Sequence, residues 1–179
     1  MASAPPASGG GWPADASPKI TRFVDFAEPF HLPVVHFVDI PGFIIGVTAE
    51  KAATIRHGAR ALTAVYQSKA PWCSIILRKT FGVAGAAHQN WQKYNFRYAW
   101  PSGDWGSLPI EGGIAAAYRR DLAAADDPKA LRDDIERRLH AVRPPFRPAV
   151  RFGVQGFLDP RDTRPRRFDW AALAHAPVR

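Results

Sequence analysis

The sequence predicts a parallel α/β domain, on three observations. Two short apolar runs rich in β-branched residues, Val34 to Val38 and Trp72 to Leu77, lack polar alternation and so suit strands buried on both faces. Helical segments separate the strands at intervals that suit crossover connections between parallel neighbours. A length of 179 residues and a composition 46% hydrophobic and 22% charged fit one globular domain.

The elements follow in order. Residues 1–14 are mostly Ala, Pro, Ser and Gly and read as a disordered leader, with the packed domain spanning 15–179. Ser17-Pro18 is a helix start, and Ile20, Phe23, Val24, Ala27 and Phe30 recur at helical spacing up to Pro33. After the first strand, Asp39-Ile40-Pro41-Gly42-Phe43 forms a turn. Thr48 is placed to cap one helix running to about Gln67, and Pro71 restarts the chain for the second strand. A Gly/Ala-rich segment follows from Phe81 to Ala87. Tyr98 to Trp100 and Trp105 to Leu108 read as short strands, and Glu111 to Ala125 and Lys129 to Val142 as helices. Pro144 to Arg167 reads as irregular and basic, with a last helical turn or two from Phe168 to Ala174.

Composition excludes several functions. A single cysteine, Cys73, rules out an internal disulfide and a cysteine-based zinc site, and suits a reducing, cytoplasmic setting. No apolar run approaches the ~20 residues of a membrane span. The net charge of +8 is concentrated from Arg143 onward, where eight Arg face three Asp. A basic tail of this kind suits nucleic acid, CoA phosphates, an acidic subunit or plain solvation. No nucleic-acid motif accompanies it, so a nucleic-acid partner is not expected. The six histidines show no HxH, HxxxH or HExxH spacing, so no metal site is expected. Neither a GxSxG elbow nor a Walker loop is present. Two glycine-bearing loops at strand ends, Pro41 to Gly46 and Gly82 to Ala86, remain as possible sources of backbone N–H donors, and equally as ordinary turns.

Five motifs in order then narrow the reading. Asp39-Ile40-Pro41-Gly42-Phe43-Ile44-Ile45-Gly46 leads without a gap to Ile55-Arg56-His57-Gly58-Ala59-Arg60. Arg78-Lys79-Thr80-Phe81-Gly82-Val83-Ala84, Tyr98-Ala99-Trp100-Pro101 and Asp159-Pro160-Arg161-Asp162-Thr163-Arg164 follow. Together they resemble the carboxyltransferase (β) subunit of biotin-dependent acyl-CoA carboxylases of the propionyl-CoA and methylcrotonyl-CoA type. The resemblance runs from about Gly11 to Leu173 and matches only the C-terminal half of that subunit.

The resemblance implies a crotonase-like (ClpP/crotonase) spiral of ββα units. It implies transfer of a carboxyl group from carboxybiotin, carried on a partner domain, to an acyl-CoA. The backbone N–H groups of Val83 and Ala84 would hold the biotin oxygen that gains charge when carboxybiotin releases CO₂, and biotin itself would take the substrate proton. Gly42, Phe43, Gly82 and Ala86 would border the pocket. Ala86 falls where propionyl-type enzymes carry Asp, which implies a wider, less polar pocket. Val83 replaces a Gly, a change that would be strained if φ were positive there. The implied partners are a biotin carboxylase/biotin carrier subunit, the N-terminal carboxyltransferase half, and further copies in a homo-oligomer. The alternative function is a catalytically inactive remnant that serves oligomerisation.

Overall fold

The structure, a computed structural model, describes residues 9–87, 95–106, 110–141 and 154–175. Strands β1 (Val34–Ile40), β2 (Trp72–Phe81), β3 (Asn95–Ala99) and β5 (Gly156–Phe157) lie in the order β1-β2-β3-β5, and β4 (Asp104–Gly106) pairs with the far end of β2. Every pairing is parallel, as the alternation of strands and helices requires.

The pleat divides the sheet into two faces. On one, Val34, Val38 and Ile40 of β1 and Trp72 of β2 meet helices α1 (Ala16–Ala27) and α3 (Thr54–Gln67) through Val24, Ala27, Ala61 and Val65, while Ile76 packs with Ala99 and Trp105. On the other, Val35, Phe37, Cys73, Ile75 and Tyr98 meet Trp170 and Ala174 of the C-terminal helix α8 (Thr163–His175). The layers are therefore helix, sheet, helix. Cys73 is fully buried, and burial pushes its thiol up to about 12, which makes it an inert core residue. Helices α5 (Ile110–Ala117), α6 (Arg119–Ala124) and α7 (Pro128–Ala141) form a separate cluster around Ile110, Ile114 and Ile135.

Several elements depart from the sequence reading. The packed chain begins before Asp15: Trp12 is 2% exposed, forms a parallel bridge with Phe43 and joins the core beside Val38 and Ile40. Ser17 is buried inside α1 and does not cap it. The single helix expected from Thr48 to Gln67 is two, α2 (Val47–Lys51) and α3, broken where Ala53 adopts a left-handed φ of 55°. The Thr54 hydroxyl donates to the Ala49 carbonyl at 2.9 Å across that break. β2 extends four residues beyond Leu77. The 111–125 helix is interrupted at Tyr118. The stretch expected to be irregular up to Arg167 contains β5, a 3₁₀ turn (Pro160–Asp162) and the start of α8, which is 13 residues long. Its apolar signal is sparse because only Trp170 and Ala174, with Thr163, are buried along an arginine-rich helix.

Candidate active site

The two glycine-bearing loops emerge side by side at the carboxyl ends of β1 and β2, where parallel sheets bind ligands. Contacts between the motifs hold them there.

The first contact is a charged fork. Pairing of β1 with β2 jumps from Val38 opposite Ile76 to Ile40 opposite Thr80, so β2 carries extra residues around Arg78 and Lys79. Asp39 clamps this irregularity. Its Oδ1 accepts the Lys79 N–H at 3.0 Å and Arg78 Nε at 3.3 Å, and its Oδ2 accepts Arg78 Nη2 at 3.0 Å. Fork-to-carboxylate geometry fixes direction as well as distance, so the exit of β2 is set by the penultimate residue of β1.

The second contact is steric. The Phe43 ring lies on Gly58 of α3: a Cβ added at Gly58 would sit 2.4 Å from the ring carbon Cζ. On its other side Phe43 packs against Trp12, with ring centroids 4.9 Å apart. The missing Cβ at Gly58 therefore lets the turn's phenylalanine approach the α3 backbone.

The third contact joins the last two motifs. Trp100 Nε1 donates to Thr163 Oγ1 at 2.9 Å. Asp159 launches the segment that carries Thr163. Its Oδ1 accepts the Arg161 N–H at 2.9 Å and its Oδ2 accepts Arg161 Nη2 at 2.9 Å, and these bonds hold its carboxyl below the ordinary value.

At the end of β2, Gly82 turns the chain with φ 59°, and residues Gly82–Ala86 form a single helical turn, α4. Gly85 lets this turn fold back on the strand, since a Cβ there would lie 2.9 Å from the Thr80 carbonyl carbon. The first N–H groups of a helix have no partner within it. In α4 these are the amides of Gly82, Val83 and Ala84, and the preceding Phe81 offers no side-chain cap. Ala84 and Ala87 anchor the turn in the core with Ile40, while Val83 is 63% exposed. Among the described residues other than glycine, only His31 and Ala53 have positive φ, so Val83 is not strained. The positive φ falls on Gly82 instead.

Beside α4 lies a cleft of about 120 Å³, lined by Thr80, Gly82, Gly85, Ala86, Arg97, Trp105 and Gly106. Of the residues expected at the pocket, Gly82 and Ala86 line this cleft. Gly42 and Phe43 do not: Gly42 accepts the Trp12 N–H at 2.9 Å through its carbonyl, and Phe43 is a packing residue. His57 sits half-buried on α3, and His88 and Trp91 lie outside the described residues. Among the described residues, no group of three His, Cys, Asp or Glu could hold a metal, and no helix is long and apolar enough to cross a membrane.

Sequence reasoning missed three features: the Asp39 fork, the Gly58–Phe43 approach and Arg97 as a cleft residue. A charged residue between Phe96 and Tyr98 in a buried strand was the available signal for the last.

Residues 1–176 match the family described as the carboxyl transferase domain. The chain belongs to that family. It is 37% identical over 166 residues to the 12S subunit of methylmalonyl-CoA carboxyltransferase from Propionibacterium freudenreichii subsp. shermanii, covering 92% of this chain and 32% of that one. It is 36% identical over 170 residues to the carboxyltransferase subunit of propionyl-CoA carboxylase from Haloferax mediterranei, covering 93% and 33% respectively. The chain thus spans about a third of the length of these relatives. Among solved structures, it superposes on the transcarboxylase 12S hexamer subunit, crystallised with methylmalonyl-CoA and methylmalonic acid, with a TM-score of 0.77 at 33% identity, covering 94% of this chain and 33% of that one. The β subunit of geranyl-CoA carboxylase from P. aeruginosa shares the fold with a TM-score of 0.81 at 19% identity, covering 94% of this chain and 34% of that one. The carboxyl transferase domain here thus has the crotonase-type fold of these carboxyltransferases, in a single α/β domain.

Proposed function

We infer that this carboxyl transferase domain is the carboxybiotin-side half of an acyl-CoA carboxyltransferase, working in the cytoplasm with a second half that binds the acyl-CoA. The observation that carries the inference is α4: a helical turn whose first amides lack a side-chain cap, set at the carboxyl end of β2 by Gly82, Gly85 and the Asp39 fork.

Donors held in place before the reaction stabilise charge as it develops, because nothing must reorganise at that moment. The amides of Val83 and Ala84 fit a carbonyl oxygen that becomes negative. Bound there, a carboxylated biotin from a carrier domain would supply the transferable carboxyl group and the nitrogen that accepts the substrate proton. The protein's part is to hold the oxygen at α4, to seat the ring against Gly82 and Ala86, and to keep α4 rigid through Ala84 and Ala87. No side-chain base is needed, which agrees with the absence of a catalytic dyad in the sequence motifs. A biotin carrier and further copies of the chain complete the assembly. The exposed Phe26 of α1, Phe30 beyond its end, Ile45 of the turn and Val47 at the start of α2 offer apolar surface for such contacts. Trp72 and Trp105 offer no such surface, being buried in the core.

The test is single-turnover carboxyl transfer to propionyl-CoA from a carboxylated biotin carrier. The chain alone should show no transfer, and addition of a propionyl-CoA carboxylase N-terminal half should establish it. Substantial transfer by this chain alone would contradict the half-site reading.

A further inference from the structure

Helix α1 is apolar on two sides. Val24 and Ala27 are buried against the sheet, as a surface helix requires. On the outward side Phe23 is also exposed, and so are Phe26, at 56%, and Phe30, just past the helix end, at 63%. The Phe26 and Phe30 rings lie together, with centroids 4.9 Å apart. Aromatic surface of this kind on the outside of a helix marks a contact.

The charges on α1 run against its own dipole. Lys19 and Arg22 precede Asp25 and Glu28, so no acid lies in the first turn and no base in the last. A lone helix is favoured by the reverse order. Arg22 and Asp25 are exposed, and neither side chain has a polar partner among the described residues. Three residues apart, they share one flank of the helix, about 4.5 Å from each other along its axis.

That order of charges selects the occupant, because it is complementary to itself when reversed. A two-fold axis midway between Phe23 and Val24 sets Arg22 of each copy level with Asp25 of the other. The two helix dipoles then oppose, and Phe23 and Phe26 of both copies lie near the axis, where they cover one another. An interface of this kind uses the same patch on both partners. A partner of one charge sign would instead meet a like charge at Arg22 or at Asp25. The patch also lies away from α4: Phe30 and Leu32 lead into Val34, the first residue of β1, whereas α4 follows the last residue of β2.

We propose that the outward face of α1 is a self-association surface, on which a second copy of this chain packs its own α1 antiparallel about a two-fold axis. This assigns a surface to the further copies named above, and it does not rest on the acyl-CoA reading.

The test is sedimentation equilibrium of the full chain, without carrier or acyl-CoA. The wild type should fit a monomer–dimer equilibrium. Arg22→Asp leaves two acids on the flank and Asp25→Arg leaves two bases, so each variant alone should weaken the dimer by at least about tenfold. An equimolar mixture of the two should regain association close to that of the wild type, because the acidic flank of one meets the basic flank of the other. Phe26→Ser should leave the chain monomeric at concentrations where the wild type is dimeric. All three positions are exposed, so the variants should fold, which thermal melts check. A monomeric wild type, unchanged association in both charge variants, or a mixture no tighter than its components would overturn the proposal. Oligomers insensitive to Phe26→Ser would overturn it too, and would move the contact to another surface such as Ile45 and Val47. No substrate enters this measurement, so its failure leaves the carboxyl-transfer reading standing, and a failed transfer assay leaves the pairing of α1 standing.

Discussion

The loop end of the sheet and the α5–α7 cluster hold their shape by different means. At the loop end, positions depend on single atoms: a missing Cβ at Gly58 and at Gly85, a left-handed φ at Gly82, and a carboxylate at Asp39 that takes three hydrogen bonds. In α5–α7, buried Ile110, Ile114 and Ile135 are surrounded by half-buried leucines, and the outer face carries exposed ion pairs such as Asp134–Arg138 at 2.9 Å. The first arrangement tolerates little change because close backbone approaches have no slack. The second is amphipathic packing, which tolerates most substitutions that keep the pattern. The demanding geometry surrounds α4, whose amides are the donors proposed above.

Substitutions should break or sharpen that contrast in a graded order. Ala84→Pro deletes one α4 donor and should lower carboxyl transfer in the reconstituted complex by about a hundredfold or more, the scale of a lost oxyanion donor. Gly58→Ala forces the Phe43 ring away and should cost about 1–3 kcal/mol of stability, lowering Tm by several degrees. Phe43→Leu in the same chain should recover part of that loss, which a denaturant titration of the two variants would measure. Asp39→Asn keeps the shape of the fork and weakens its charge. Because Arg78 is exposed, the stability cost should be only about 1 kcal/mol, with a larger effect on transfer than on melting. Asp134→Ala, in α7, should change stability by less than about 0.5 kcal/mol and leave transfer untouched. An Asp134 variant more damaging than the Gly58 variant would erase the contrast.

The same contrast explains what could be read from the sequence. β1 and β2 were legible because a strand packed on both faces must be a continuous apolar run. The loop end was legible as motifs, since Asp39, Gly42, Gly58, Gly82 and Ala84 stand at fixed spacings. The contacts between motifs were not legible, because spacing along the chain does not say that Phe43 lies on Gly58 or that Trp100 reaches Thr163. Trp12 was hidden in a Gly/Pro-rich stretch that resembles a flexible leader until its ring is seen in the core. The break before α3 was hidden because alanine gives no sign of a positive φ. The length of α8 was hidden by its arginines. Val83 raised a concern about strain that the structure removes by placing the left-handed residue one position earlier, at Gly82. Val83→Gly should accordingly bring no gain, only the mild cost of glycine in a helical turn.

The claim that backbone dipoles, rather than a side-chain base, carry this half of the reaction has one direct test. Replacing Ala84 by lactic acid converts its amide to an ester, which removes the N–H while keeping the methyl group and nearly the same backbone shape. Single-turnover carboxyl transfer in the reconstituted complex should fall by about a hundredfold, while His57→Ala should leave the chemical step within a few-fold of wild type. An ester variant with normal transfer, beside a folded but inactive His57→Ala, would contradict the account and assign the chemistry to side-chain acid–base catalysis.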